Sequence, residues 1–215
     1  MRPATGEVPV RVRAEIDLTM AAGGRTLPGR VHTFTGLPGA EEHLVVAVGP
    51  YRRPRGGVPL VRLHSECLTG DVFGSRRCDC GPQLDEALVR IAEHGGYLVY
   101  LRQEGRGIGL YAKLDAYRLQ DQGLDTFEAN RALGYPEDAR GYEVAGRMLR
   151  ALDVLQVDLM TGNPQKAAGL AAGGVAVRRT LPTALHETTE NLRYLHAKRR
   201  RGFRFAGDHG SLSVS

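Results

Sequence analysis

Apolar positions in the first sixty residues come in short runs cut by glycine and proline. Residues 8–16, 29–34 and 44–48 have strand composition, and Gly23-Gly24, Pro38-Gly39 and Gly56-Gly57 punctuate them. A fourth run, 58–64, reads as another strand. From Gly81 the spacing changes: Leu84, Leu88, Ile91 and Ala92 recur at helical intervals, and His94-Gly95-Gly96 ends that helix. Residues 97–101 read as a buried strand, and 102–109 as a loop that opens a helix over about 110–121. Further helices are predicted near 126–133, 142–152, 164–172 and 188–201, with strands near 156–160 and 175–178. Strands alternating with helices predict an α/β (mixed α+β) chain, β-rich over about 1–64 and layered over about 65–205. Residues 1–205 are taken as a single domain, and the small, polar stretch 206–215 as a disordered tail.

Composition narrows the class. With 215 residues and 42% hydrophobic content the chain is long enough for a substantial core. The longest apolar stretches, 43–49 and 167–177, are short or broken by glycine, below the roughly 18 residues of a membrane helix, so no membrane partner is expected. A net charge of +5 points toward an anionic partner. Part of it lies in Lys198-Arg199-Arg200-Arg201, which reads as the solvated end of a helix, where cations complement the dipole, rather than as a nucleic-acid surface. Three cysteines cannot all pair, and no signal-peptide pattern opens the chain, so reduced thiols and a cytoplasmic location are expected.

All three cysteines, Cys67, Cys78 and Cys80, fall within fourteen residues directly after His64, Ser65 and Glu66. Structural zinc sites take four protein ligands, whereas catalytic ones take three and keep a position open, so three thiolates fit the catalytic case. A closed site completed by His64 or another of the seven histidines is the alternative reading. Two turns are candidates for phosphate. Glu104-Gly105-Arg106-Gly107-Ile108-Gly109 follows a strand and opens a helix, and Thr161-Gly162-Asn163-Pro164-Gln165-Lys166 repeats that arrangement with proline in the first helical turn. The first matches neither the dinucleotide fingerprint nor the P-loop. In isolation each also reads as an ordinary turn, with Lys166 as a surface lysine.

Several ordered motifs together carry a resemblance. The run Arg62-Leu-His-Ser-Glu-Cys67-Leu-Thr-Gly-Asp71, then Arg77-Cys-Asp-Cys-Gly81, Arg102-Gln-Glu-Gly-Arg106-Gly-Ile-Gly109, Leu119-Gln-Asp-Gln-Gly123-Leu-Asp-Thr126, Ala129-Asn130 and Leu133-Gly134 resembles GTP cyclohydrolase II over about 62–177. The resemblance implies hydrolysis of GTP to a 2,5-diamino-6-ribosylamino-pyrimidinone 5'-phosphate with release of formate and pyrophosphate, at the entrance to riboflavin synthesis. It implies zinc on Cys67, Cys78 and Cys80, with a metal-activated water attacking C8 of the purine, and Mg2+ on the triphosphate. Three thiolates return much of the metal's charge, so neighbours are expected to assist.

Carried over position by position, the resemblance assigns GTP contacts to Arg62, Leu63, His64, Ser65, Glu66, Gln83, Glu104, Gly105, Arg106, Thr126, Thr161 and Lys166. It makes Tyr117 a proton donor near the base, and without it Tyr117 reads as a core aromatic on an amphipathic helix. Asp138 and Arg140 stand at the positions of a proton acceptor and a nucleophile for cleavage at the α-phosphate. A guanidinium is protonated at ordinary pH and has no free lone pair, so stabilising phosphoryl charge is the role that the chemistry of Arg140 favours. A homodimer is implied in the same way. Gly162 and Gln165 depart from the asparagine and basic residue usual in the family, which is expected to weaken or shift phosphate binding. With 61 residues before Arg62, the dihydroxybutanone-phosphate domain that some members carry is not expected, and the chain reads as a stand-alone enzyme. Two other outcomes stay open. One is a paralogue that stops at a formamidopyrimidine or takes another nucleotide, and the other is a non-catalytic zinc module that binds nucleic acid.

Overall fold

The computed structural model describes residues 8–207. Seven strands form one mixed sheet: β1 (Arg11–Ala22), β2 (Arg25–Thr35), β3 (Leu44–Val48), β4 (Leu60–Ser65), β5 (Gly96–Leu101), β6 (Gln156–Met160) and β7 (Ala176–Leu181), in the spatial order β1-β2-β3-β5-β4-β6-β7. The pairings from β1 to β5 are antiparallel, and those from β5 through β4 and β6 to β7 are parallel. The β-rich first part and the layered second part therefore share a sheet, and β4 lies inside its parallel half.

Strand β1 continues past the expected 8–16 because the alternation Ile16, Leu18, Met20 persists as far as Gly23-Gly24. Both glycines have positive φ, 57° and 67°, which suits the two-residue hairpin turn into β2. The helices are α1 (Leu68–Asp71), α2 (Cys80–His94), α3 (Leu110–Asp121), α4 (Thr126–Ala132), α5 (Glu143–Arg150), α6 (Pro164–Ala172) and α7 (Leu192–Arg200). The four-residue α1 carries no periodic signal in the sequence. Helix α7 starts later than the expected 188 because Asn191 ties a turn instead, accepting from Thr188 N and donating to the His186 carbonyl. Of the expected tail, Ala206 is held by its N–H on the Thr183 carbonyl (2.8 Å), and 208–215 lie outside the described residues.

The central parallel strands β4, β5 and β6 are buried on both faces, which is why 97–101 is a nearly continuous apolar run. Val61, Leu63, Val99 and Leu101 face Met148 and Leu149 of α5 and Leu170 of α6, while Leu60 and Leu98 face Ala87, Leu88 and Ile91 of α2. Topology then positions the site. The chain leaves β4 for β5 on one side and later returns to β6 on the other, a reversal that opens a crevice beyond the carboxyl ends of the strands. The loops after Ser65, Leu101 and Met160 converge there. These are the cysteine loop and the two candidate phosphate turns.

Candidate active site

Asp71, at the end of α1, shapes the cysteine loop. Its carboxylate accepts from Cys67 N, His64 Nε2 and Tyr100 Oη, each at 3.0 Å, and so ties the loop to β4 and β5. The His64 ring stacks on Tyr100 with centroids 5.6 Å apart. Among the described residues only Cys67, Cys78 and Cys80 form a metal-ligating group, their sulfurs lying within 4.8 Å of one another. The Cys3His reading therefore fails at His64, whose Nε2 is engaged by Asp71.

The sulfur geometry fits a tetrahedral ion. Cys67 Sγ and Cys78 Sγ are 3.7 Å apart, and zinc–sulfur bonds of about 2.3 Å at the tetrahedral angle require about 3.8 Å. Contact with Cys78 and Cys80 drives the Cys67 thiol far below its ordinary value, whereas contact with Cys67 pushes Cys78 up to about 12 and Cys80 upward as well. Gly70 makes room for the cluster: a Cβ there would lie 2.8 Å from Cys78 Sγ and 3.1 Å from Cys67 Sγ.

Lys113 is a pocket residue that no sequence motif marks. Its Nζ donates to Cys67 Sγ (3.2 Å) and to Glu104 Oε1 (2.8 Å). Burial opposes the charge, but the Cys67 thiolate and Glu104 more than offset it and hold the ammonium above its ordinary range. Glu104 also accepts from Leu68 N and Gly105 N, both at 2.7 Å, so its carboxylate belongs to the loop and to Lys113. Tyr117, one helical turn further along α3, lines the pocket rather than the core. Its hydroxyl meets Thr69 Oγ1 at 3.1 Å, and Thr69 Oγ1 lies 3.7 Å from Cys67 Sγ. Burial raises the phenol above its usual value, so it is a donor at neutral pH. The only sequence cue to Lys113 is its place on α3 four residues before Tyr117.

Cations gather in the same pocket. Arg62 is buried, giving Nη2 to Gln83 Oε1 (2.6 Å) and Nη1 to the Met160 carbonyl (3.1 Å). Lys166 is buried too, and Nζ donates to the Leu63 carbonyl (2.7 Å). It is not the surface lysine of the simpler reading. Burial, then Arg62, Arg140 and Lys198, push its pKa well below the ordinary lysine value, the signature of cations crowded without enough counter-charge. Arg62 Nε and Asn163 Nδ2 are buried donors with no acceptor among the described residues. An anion entering here relieves the repulsion and supplies acceptors.

Asp138 links the loop at Gly105 to these cations. It accepts from Arg140 Nε (2.8 Å), Arg140 N (3.1 Å) and Arg106 Nη1 (3.3 Å). Burial alone would raise the carboxyl, but Arg140 and Arg106 hold it below its ordinary range. Burial likewise disfavours the Arg140 charge, and the Asp138 hydrogen bond overrides that and makes the guanidinium still harder to deprotonate. Arg106 has a left-handed backbone (φ 63°), held by Ala139 N donating to its carbonyl, and its guanidinium lies 4.2 Å from the Phe127 ring centre.

Most of the residues assigned from the sequence meet in this pocket. Arg62, His64, Ser65, Glu66, Gln83, Glu104, Gly105, Arg106, Thr126, Thr161, Lys166, Tyr117 and Arg140 all line it beside the cysteines. Two do not. The Leu63 side chain is fully buried in the core facing α5, because alternation along β4 turns it away from Arg62 and His64, and only its carbonyl serves the site. Asp138 stands behind Arg106 and Arg140. Lys198 corrects another expectation: it is buried, with Nζ 2.7 Å from Asp79 Oδ1, and is not on a solvated helix end.

A three-cysteine group able to hold a metal ion, beside buried cations at the carboxyl ends of parallel strands, makes the pocket of a hydrolase suited to an anion. Sequence comparison makes the class specific. The profile of GTP cyclohydrolase II matches residues 10–182, and the chain belongs to that family of riboflavin-biosynthesis enzymes. It is 45% identical over 188 residues to the GTP cyclohydrolase-2 of Psychromonas ingrahamii, covering 87% of this chain and 93% of that protein. The GTP cyclohydrolase-2 of Aliivibrio fischeri strain MJ11 is also 45% identical, over 92% of this chain and 98% of its own. Riboflavin biosynthesis protein RibBA of Bacillus subtilis strain 168 is 48% identical over 87% of this chain but 46% of its own length, so the chain spans about half of that relative. No helix among the described residues is long and apolar enough to cross a membrane.

Proposed function

We propose that this chain hydrolyses GTP to 2,5-diamino-6-(5-phosphoribosylamino)pyrimidin-4(3H)-one, releasing formate and pyrophosphate. The observation that carries the reading is that the sulfur cluster and the crowded cations open into one pocket. Such a pocket suits a ligand that carries both an electrophilic ring and a polyphosphate. Two waters remove C8 as formate by cleaving its bonds to N7 and N9, and a third replaces pyrophosphate at the α-phosphorus. Zinc, held by Cys67, Cys78 and Cys80, supplies a Lewis acid that lowers the pKa of water.

The chain's own groups do the rest. Lys113 draws charge from the Cys67 sulfur, answering the electron-rich donor set. Tyr117, oriented by Thr69, hands a proton to the nitrogen that leaves C8. Arg62, Lys166 and Thr161 receive phosphate oxygens together with Mg2+. Arg140, firmly protonated by Asp138, stabilises charge at the α-phosphate, which its chemistry favours over attack as a nucleophile. The protein is expected to work in the cytoplasm as a homodimer. The exposed apolar residues Ile16 and Leu18 on the β1–β2 hairpin are the surface such a dimer would cover.

Incubation with GTP and Mg2+, with formate and pyrophosphate measured separately, tests the proposal. Equal release of both is expected. Pyrophosphate without formate would transfer the chain to the paralogue reading, and neither product would sink the GTP reading and leave only a paralogue that takes another nucleotide. The nucleic-acid alternative is disfavoured by Lys198, which is spent inside the pocket rather than on a basic face.

A further inference from the structure

The family match ends at residue 182, yet the chain beyond it folds back over the pocket. Thr183, Tyr194, Lys198, Phe203, Arg204 and Phe205 all line the cavity that holds the cysteines and the cation cluster. We propose that residues 183–205 form a substrate-binding strap, in which Lys198 is a ligand of the triphosphate and Gly162 is the seat on which the strap docks. This deepens the GTP reading and rests on it.

Three observations carry it. The strap is anchored from several sides: Arg204 N donates to the Gly162 carbonyl (3.0 Å), Ala184 N donates to Glu86 Oε2 (3.0 Å), and Leu195, Ala197 and Phe205 are buried. Its close approach depends on a side chain that is missing. A Cβ on Gly162 would lie 2.0 Å from the Arg204 carbonyl oxygen, with backbone and not a flexible side chain in the way. Any side chain at this position would have to displace the docked strap. Gly162 is therefore a fitted seat and not a weakened phosphate turn.

Lys198 also has donors to spare. One meets Asp79 Oδ1 at 2.7 Å, and around the ammonium stand the Tyr194 ring at 4.4 Å and the Phe205 and Phe203 rings at 5.9 and 6.0 Å. An ammonium has three donors, and aromatic faces satisfy charge without accepting strong hydrogen bonds. Asp79 is itself shared, accepting from Gln83 Nε2 (2.6 Å), and Gln83 in turn receives Arg62. Around Lys166 the structure thus brings Arg62, Arg140 and Lys198 together, with Asp79 on Lys198 and Asp138 on Arg140 as their carboxylate partners. That excess of positive charge matches a triphosphate and not a single carboxylate.

The test uses the full-length, zinc-loaded protein with inorganic tripolyphosphate as probe, its affinity measured by calorimetry. Lys198→Met is expected to weaken binding about 10- to 100-fold, the loss of one charge-assisted hydrogen bond, and Lys198→Arg to recover most of it. Since Lys198→Met leaves Asp79 as an unpaired buried anion, the decisive pair is Asp79→Asn against the double variant Asp79→Asn/Lys198→Met. At least a 10-fold further loss in the double variant is expected. Gly162→Ala, with zinc content unchanged, is expected to weaken the probe similarly and to expose the Lys198–Arg201 run to trypsin. Equal affinity of Asp79→Asn and the double variant would reduce Lys198 to a counter-ion and overturn the proposal, as would a wild-type protein that ignores tripolyphosphate. Formate release from GTP is scored separately: Lys198-dependent probe binding without turnover would sink the cyclohydrolase reading and leave the strap standing.

Discussion

Gly70→Ala isolates the geometry of the sulfur cluster from everything else in the fold. Gly70 lies in α1 with no positive φ, so on backbone grounds alanine is acceptable, and helix propensity alone favours it by about 1 kcal/mol. The structure reverses that sign. The new methyl would sit 2.8 Å from Cys78 Sγ, 3.1 Å from Cys67 Sγ and 3.1 Å from Cys80 Cβ, whereas ordinary contact begins at about 3.5 Å. One sulfur must therefore move by about 0.7 Å, several times the roughly 0.2 Å that zinc–ligand distances tolerate. Disturbing a metal site from just outside its ligands typically costs about 10- to 100-fold in affinity, or about 1.4 to 2.7 kcal/mol, and this clash belongs at the upper end. Zinc affinity is measured by competition with a chromophoric chelator. Gly141→Ala serves as control, because a Cβ at Gly141 meets nothing within 4 Å. Gly70→Ala protein that held zinc as tightly as wild type would refute the assignment of this sulfur triangle as the metal site.

Three more outcomes are expected. Tyr117→Phe keeps the ring but removes the hydroxyl facing Thr69; turnover should fall by at least about 100-fold with zinc content and GTP affinity held, and a fall of less than about 3-fold would remove Tyr117 from proton transfer. Burial holds His43 and His64 below the ordinary histidine value of 6.5, so the unfolded chain takes up protons below that pH before the folded chain does. Stability from these groups is complete above about 6.5 and declines as the pH falls toward their folded values, so the urea midpoint should drop between about pH 6.5 and 5.5, and a midpoint rising on acidification would contradict it. Replacing Ile16 and Leu18 with glutamate should convert a dimer to monomers in sedimentation while leaving the thermal transition nearly unchanged; dimers that persist would move the contact elsewhere.

Local chemistry was legible in the chain itself. The helical spacing of Leu84, Leu88 and Ile91, the capped turn before Pro164 and the clustering of three cysteines in fourteen residues all depend on neighbours in sequence. The α3, α6, β3 and β6 bounds follow from such signals, and so does the absence of a fourth cysteine ligand. What required the tertiary structure is whatever depends on residues far apart meeting. Lys113 is an unremarked helical lysine until α3 brings it to Cys67, 46 positions away, and Lys198 is a basic-run residue until α7 carries it 119 positions back to Asp79. Leu63 and Arg62 are adjacent in the chain yet end in a core and in a site, because a strand sends successive side chains to opposite faces. Gly162 shows the same division. As sequence it is a missing asparagine, and only the backbone of Arg204 passing over it gives the absence a physical cause.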